Sequence, residues 1–249
     1  GFACIFLVLS PTCTGPQIRL DFAADHAVKL AGIEKGGYMG EPTAPLGTGV
    51  LVIHEHILDR AAQELVLRAV RGVIAEAPLY VPKMPRTGRP MSVRMTNCGA
   101  LGWVTSKEEG YRYQATHPET GRPWPPIPAA ILAVWDEVAG YPAPPEACLV
   151  NWYEPGAKLG LHVDSDEEAF DAPVVSISLG DDAWFRIGGP KRRDPTERVK
   201  LRSGDVVVMG GDARLIHHGI DRILPGTSDL VGEPGRFNLT LRRVTPPDR

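Results

Sequence analysis

Asn151 to Asp166 reads N-W-Y-E-P-G-A-K-L-G-L-H-V-D-S-D, and both the fold and the chemistry of the chain turn on its centre. In Leu161-His162-Val163-Asp164 an imidazole and a carboxylate sit two residues apart within an apolar, strand-like run. Side chains alternate faces along a strand, so His162 and Asp164 are expected to project the same way, close enough to grip one small object. A metal ion is the natural candidate.

Two histidines and one carboxylate on one face of an ion, with open positions opposite, are the ligand set of non-heme Fe(II) oxygenases. The third ligand must come from elsewhere, and Leu215-Ile216-His217-His218-Gly219 offers it in a second run that reads as a strand. Alternation alone says only that one of His217 and His218 faces inward. His54 and His56 form a rival pair at the end of a strand expected over 49–56, but no third ligand accompanies them nearby.

Further strands are expected over 148–153, 159–163, 174–179, 184–187, 199–201, 206–209, 215–218 and 236–243, punctuated by Pro155-Gly156, Ser203-Gly204-Asp205 and Gly210-Gly211-Asp212. Short strands at this spacing predict a mainly β member of the α+β class, built as a double-sheet jelly roll, or double-stranded β-helix. Two helices are expected to support it, packed on one sheet. The first spans 58–76, with Leu58, Ala62, Leu65, Val66, Ala69 and Val73 as its buried stripe. The second starts at Pro128, buries Ile131, Trp135 and Val138, and ends at Gly140.

The stretch Tyr80 to Arg94 carries three prolines and a glycine, which rule out an interior helix or central strand. It is expected to be an exposed lid, and Lys83, Arg86, Arg89 and Arg94 read either as a solvated rim or as phosphate contacts. Trp103, Tyr111 and Tyr113 follow in extended chain, either as core aromatics or as a stacking platform for a flat ligand. The lid is taken as about 80–113 and the jelly-roll core as about 147–243, within one domain over 41–249. Residues 1–40 are set apart: GFACIFLVLS is apolar without a basic leader, nothing over 11–37 shows a clear period, and the segment reads as a misread start or an addition.

A formal charge of −3 gives no global signal for polyanions, so nucleic-acid contact must rely on local patches. Four cysteines without a C-x-x-C pair point to a reducing cytoplasm, and no apolar run approaches a membrane span. The final strand places Arg236, Asn238 and Arg242 on one face, which must meet either solvent or an anion, and guanidinium forks suit a carboxylate.

These residues carry a family resemblance. N-W-Y-x-P-G-A-x-L-x-x-H-x-D-x-D-E, P-V-V-S-I-S-L-G, G-G-x-K-R, S-G-D-V-V-V-M-G-G, H-G-I and R-F-N-L-T-L-R follow in order, after M-S-V-R-M-T-N-C-G, G-W and G-Y-R-Y. Together, over roughly 80–243, they resemble the bacterial AlkB proteins, 2-oxoglutarate- and Fe(II)-dependent dioxygenases that repair alkylated nucleic-acid bases. The resemblance implies iron ligation by His162, Asp164 and His218, with His217 at a non-ligand position. It implies 2-oxoglutarate binding by Asn151, Tyr153, Arg236, Asn238 and Arg242, and base or substrate contacts from Trp103, Tyr111, Tyr113, Asp166 and Arg192.

The activity that the resemblance implies is oxidative demethylation of 1-methyladenine and 3-methylcytosine in DNA or RNA, consuming O2 and 2-oxoglutarate and releasing formaldehyde, by a cytoplasmic monomer. The sequence departs from the family pattern at Trp152, at Ile216-His217 and by one extra residue between Trp103 and Gly110; none of these removes a ligand. An oxygenase acting on protein or a small metabolite would keep the ligands and arginines without needing stacking aromatics. A cupin-like binding module would need neither arginine.

Overall fold

The computed structural model describes residues 17–22, 28–30 and 50–247. Its central strand is the last one, Arg236–Arg242, hydrogen-bonded along its whole length to Ala147–Tyr153 on one side and Val174–Gly180 on the other. One of its faces, Phe237, Leu239 and Leu241, is apolar and packs under the helices. The opposite face, Arg236, Asn238, Thr240 and Arg242, is polar and equally buried.

In chain order the strands are β1 Gln17–Phe22, β2 Val28–Leu30, β3 Val50–His54, β4 Arg94–Gly99, β5 Gly102–Ser106, β6 Gly110–Gln114, β7 Ala147–Tyr153, β8 Leu159–His162, β9 Val174–Gly180, β10 Asp182–Ile187, β11 Glu197–Leu201, β12 Val206–Met209, β13 His218–Leu224 and β14 Arg236–Arg242. All pairings are antiparallel. The large sheet runs β2-β1-β3-β12-β9-β14-β7-β4, a smaller one runs β11-β10-β13-β8, and β5-β6 stand apart as a hairpin. This is the expected two-sheet jelly roll.

Alternation creates two cores. Leu51, Ile53, Val207 and Met209 from the large sheet meet Ala183, Phe185, Ile187, Ile220 and Ile223 from the small one. On the other face, Val150, Trp152, Ile177, Val206, Val208 and Leu239 meet α1 (Arg60–Glu76) and α2 (Ala129–Val138), so both helices lie on the large sheet as expected. Asp59 caps α1 by accepting from the Ala62 N–H at 2.8 Å. Its buried stripe is Ala62, Val66, Leu67, Val70 and Val73, each larger side chain contributing about 1.5–3 kcal/mol of burial. Leu65 and Ala69, assigned to the stripe from spacing, lie half-buried on its flank.

Three expectations need correction. The run 215–218 is not a strand: Gly211–Leu215 forms a 3-10 helix, and β13 begins at His218. β8 ends at His162, so Asp164 lies in the following loop, beyond the alternation expected to carry it to the side of His162, and Asp166 follows it there. Within the segment set apart from the fold, β1 pairs with β3 and β2 with β1, extending the large sheet; the rest of residues 1–40 lies outside the described residues.

Candidate active site

His162 closes β8 and His218 opens β13, and the two are a registered cross-strand pair with ring centroids 4.5 Å apart. The close approach depends on Gly219, where a Cβ would stand 2.5 Å from the Leu159 carbonyl oxygen. Each Nδ1 lies near a backbone carbonyl, His162 with Gly160 at 3.0 Å and His218 with Ile216 at 3.2 Å. A carbonyl oxygen only accepts, so each Nδ1 carries the proton and each Nε2 keeps a free lone pair.

Those lone pairs converge on Asp164, whose Oδ1 is 3.6 Å from His162 Nε2 and whose Oδ2 is 3.7 Å from His218 Nε2. Ligand atoms held about 2.1 Å from one centre stand roughly 3 to 4 Å apart, so the spacing fits a first-row divalent ion. Among the described residues this is the one group of three or more His, Cys, Asp or Glu side chains so gathered. Charge agrees with geometry. Burial pushes His218 down to about 4, keeping it neutral near pH 7. Burial also works to raise Asp164, but Arg242, then the two histidines and Arg214, hold its carboxyl well below the usual range. Two neutral nitrogens and one anion are what a non-heme iron site requires.

Because β8 ends before Asp164, other groups must bring the carboxylate in. Arg242 Nη2 reaches Asp164 Oδ1 at 2.8 Å, and Arg214 Nη1 donates to the Asp164 carbonyl at 2.5 Å. Both arginines also bind Glu167, at 2.8 Å from Arg242 Nη1 and 2.7 Å from Arg214 Nη2, and the Tyr113 hydroxyl donates to the same carboxylate. Burial would raise Glu167, but Arg242, Arg214 and the Tyr113 hydrogen bond keep it low. Glu167 and Arg214 escaped the sequence reading. The only signal was an acidic run after Asp164 and one arginine before His217-His218, both ordinary for exposed loops.

The polar face of β14 builds a second feature beside the His162, Asp164 and His218 group. Arg236 is fully buried; Nη1 donates to the Asp181 carbonyl at 3.0 Å and Nη2 to Ser178 Oγ. Its Nε has no partner, and among the described residues no carboxylate lies within ion-pair distance. Burial pushes its pKa down to about 10. A buried guanidinium with a spare N–H and no contacting counter-ion calls for an anion. Tyr153 stands opposite it and Asn151 opposite Asn238, lining the same face toward Arg242, whose Nε is also unpartnered. Asn238 donates to Ser176 Oγ at 2.7 Å and accepts from Thr240. Guanidinium at one end, carboxamides and a phenol between, and a metal triad at the other suit a small dicarboxylate.

On the open side, Trp103, Tyr111 and Tyr113 share one face of the β5-β6 hairpin. Trp103 and Tyr111 stack at 5.3 Å with 21° between planes, and the Trp103 indole N–H donates to Asp166 at 2.7 Å. Tyr113 instead turns inward to Glu167 and Arg242. Arg192 donates to the Leu161 carbonyl at 3.2 Å, beside His162. His217 points to the Gly189 carbonyl, and His56 donates its backbone N–H to Asp205, so neither joins the metal group. Thr105 Oγ1 donates to the Lys83 carbonyl at 3.0 Å, tying the proline-rich stretch before β4 to the hairpin, and Lys83, Arg86 and Arg89 are exposed.

Comparison with known proteins adds to this geometry. Residues 49–242 match the 2OG-Fe(II) oxygenase superfamily. The chain is 53% identical over 188 residues to an alpha-ketoglutarate-dependent dioxygenase AlkB homolog of Caulobacter vibrioides, covering 76% of this chain and 84% of that protein. It is 43% identical over 204 residues to alpha-ketoglutarate-dependent dioxygenase AlkB of Escherichia coli, covering 80% and 92%. The solved structure of OsALKBH1 superposes with a TM-score of 0.67 at 32% identity, covering 78% of this chain and 97% of that one.

Proposed function

The chain belongs to the AlkB family of 2-oxoglutarate- and Fe(II)-dependent dioxygenases, and on that footing we propose that the bases it repairs are 1-methyladenine and 3-methylcytosine in DNA. It is an enzyme of oxidative demethylation, acting on alkylated bases of nucleic acid with Fe(II), 2-oxoglutarate and O2. In this reading His162, Asp164 and His218 hold the iron. Arg236 binds one carboxylate of 2-oxoglutarate, with Asn151, Tyr153 and Asn238 along its length and Arg242 beside the metal. Once bound, the iron and its cosubstrate supply the oxidation, converting 2-oxoglutarate and O2 to succinate and CO2 while one oxygen atom reaches the methyl carbon, which leaves as formaldehyde.

The protein's part is positioning and charge. The Trp103–Tyr111 pair offers an aromatic face to a base taken out of its stack. Asp166 is oriented by the indole N–H, two residues from the ligand Asp164, and that contact carries the assignment to a flat, cationic base. Methylation at N1 of adenine or N3 of cytosine fixes a positive charge that a nearby carboxylate attracts, whereas the undamaged base is neutral. Lys83, Arg86, Arg89 and Arg192 are assigned to phosphate contacts, and their exposure supports that role.

The test is coupled turnover. Succinate formed by the purified protein with Fe(II) and O2 should rise when a methylated oligonucleotide is added and should be matched by formaldehyde. Succinate unaffected by methylated nucleic acid would point to a protein or metabolite substrate instead. Asp166→Asn should depress turnover on 1-methyladenine and 3-methylcytosine more than on the neutral lesion 1-methylguanine; equal losses would remove the charge argument. We further assign residues 41–249, together with the strands β1 and β2 that extend the large sheet, to one working domain, in a monomer of the cytoplasm. Among the described residues no helix is long and apolar enough to cross a membrane.

A further inference from the structure

The smaller sheet sends Ala183, Phe185 and Ile187 into the core, so alternation directs Trp184 and Arg186 of β10 outward. Register then surrounds the indole with cations. Lys200 of β11 and Arg222 of β13 stand opposite Trp184 on its two sides, and Arg198 stands opposite Arg186 with its guanidinium 5.8 Å from the Trp184 ring centroid. Neighbouring strands lie about 4.8 Å apart, so Lys200 and Arg222 are roughly 10 Å apart with an aromatic plane between them.

Two carboxylates answer these charges: Asp221 pairs with Arg198 at 3.3 Å and Asp182 with Lys200 at 3.7 Å. Arg222 is exposed and, among the described residues, forms no ion pair. In a chain of net charge −3, a face this basic concentrates what the rest of the surface lacks. It is also continuous with the active site. The β10-β11 connection adds exposed Lys191 and Arg193, and its Arg192 is fastened to the Leu161 carbonyl, next to His162.

We propose that this outer face is a second nucleic-acid contact, which takes the lesion-bearing strand beyond the nucleotide in the active site. Lys200, Arg222 and Arg193 hold its phosphates, and Trp184 stacks one of its bases. The proposal rests on the nucleic-acid reading above and extends it from one nucleotide to a track. A basic groove with an interposed aromatic ring is how single strands are held without regard to sequence, because every base has a π-face and every linkage a charge.

Substrate length separates the track from the catalytic pocket. The combined variant Arg193→Gln, Lys200→Gln and Arg222→Gln should turn over a methylated trinucleotide within about twofold of the parent, since so short a ligand cannot reach the sheet face. On an oligonucleotide of about 16 nucleotides with a central lesion, Kd should rise about tenfold at low salt. The slope of log Kd against log salt should become shallower by about 2, for three lost contacts on a single strand. Trp184→Leu should weaken the long ligand with the slope unchanged. Unchanged affinity and slope for the long ligand would overturn the track while leaving methyl-dependent turnover intact. Absence of such turnover in the parent would instead fail the functional reading. Should the combined variant not fold, acetylation of the unmodified protein decides the same question: the long ligand must shield Lys200 where the trinucleotide does not, and equal labelling refutes the track.

Discussion

Leu215 ends the 3-10 helix and His218 opens β13, and the extended step between them sends the His217 ring to the Gly189 carbonyl and the His218 ring to Asp164. His218→Ala should therefore lose stoichiometric iron while His217→Ala keeps it, as metal analysis of the two purified variants would reveal; the reverse result would reassign the ligand. Arg236 makes a different kind of prediction. With no contacting carboxylate partner it is a net cost to the protein alone, and it is repaid when an anion arrives. Arg236→Ala should raise the 2-oxoglutarate concentration needed for half-maximal turnover by more than about a hundredfold, corresponding to about 3–5 kcal/mol for a broken buried ionic contact. The stabilisation that 2-oxoglutarate confers against heat should vanish with it. At this scale the sequence was informative where residue type is rare in its setting: H-x-D in an apolar run, and arginines at even spacing on a strand. Glu167 and Arg214 were invisible because charged residues in loops are usually solvated, and only the folded chain brings the pair together in the interior.

Among the elements, the loop after β8 depends most on its neighbours. Glu167 joins it to the hairpin through Tyr113, to the 3-10 helix through Arg214 and to β14 through Arg242. Glu167→Gln leaves two buried arginines short of a counter-charge, and should cost about 3 kcal/mol, or ~10 °C in melting temperature for a domain of this size. The pH dependence has a definite sign. The folded carboxyl is held below its ordinary value, so its stabilisation is fully present above about pH 4.3 and is lost as pH falls through the folded pKa. The glutamine variant should thus show a flatter acid limb in denaturation measured from pH 7 down to 3; parallel limbs would mean that Glu167 adds no proton-linked stability. Strands and helices were legible from period and turn residues. Misassignment fell at 163–167 and 211–217, where side-chain anchors rather than backbone ladders fix the course of the chain, and anchors leave no period to read.

Across the whole molecule, the two-sheet plan follows from alternation, because strands with one apolar face toward helices and another toward a second sheet can satisfy both only as layers. The strand β1 was there to be read and was passed over: behind Gly15-Pro16, Gln17–Phe22 alternates strictly, with Ile18, Leu20 and Phe22 between polar residues, but the apolar run at 1–10 drew the whole segment out of the fold. The order of the small sheet has a consequence for handling the protein. β8 is an edge strand of four residues, paired among the described strands with β13 alone, its outer side answered at the Leu161 carbonyl by the Arg192 side chain. An ion held by His162, Asp164 and His218 would fasten that edge, tying β8 to β13 across the ladder and to the loop beyond the strand end. Chelation should then do more than silence the enzyme: the stripped protein should cloud and sediment on storage, while metal-loaded samples at the same concentration stay clear by light scattering. A solution that keeps equally well in both forms would show that the edge holds without its clasp.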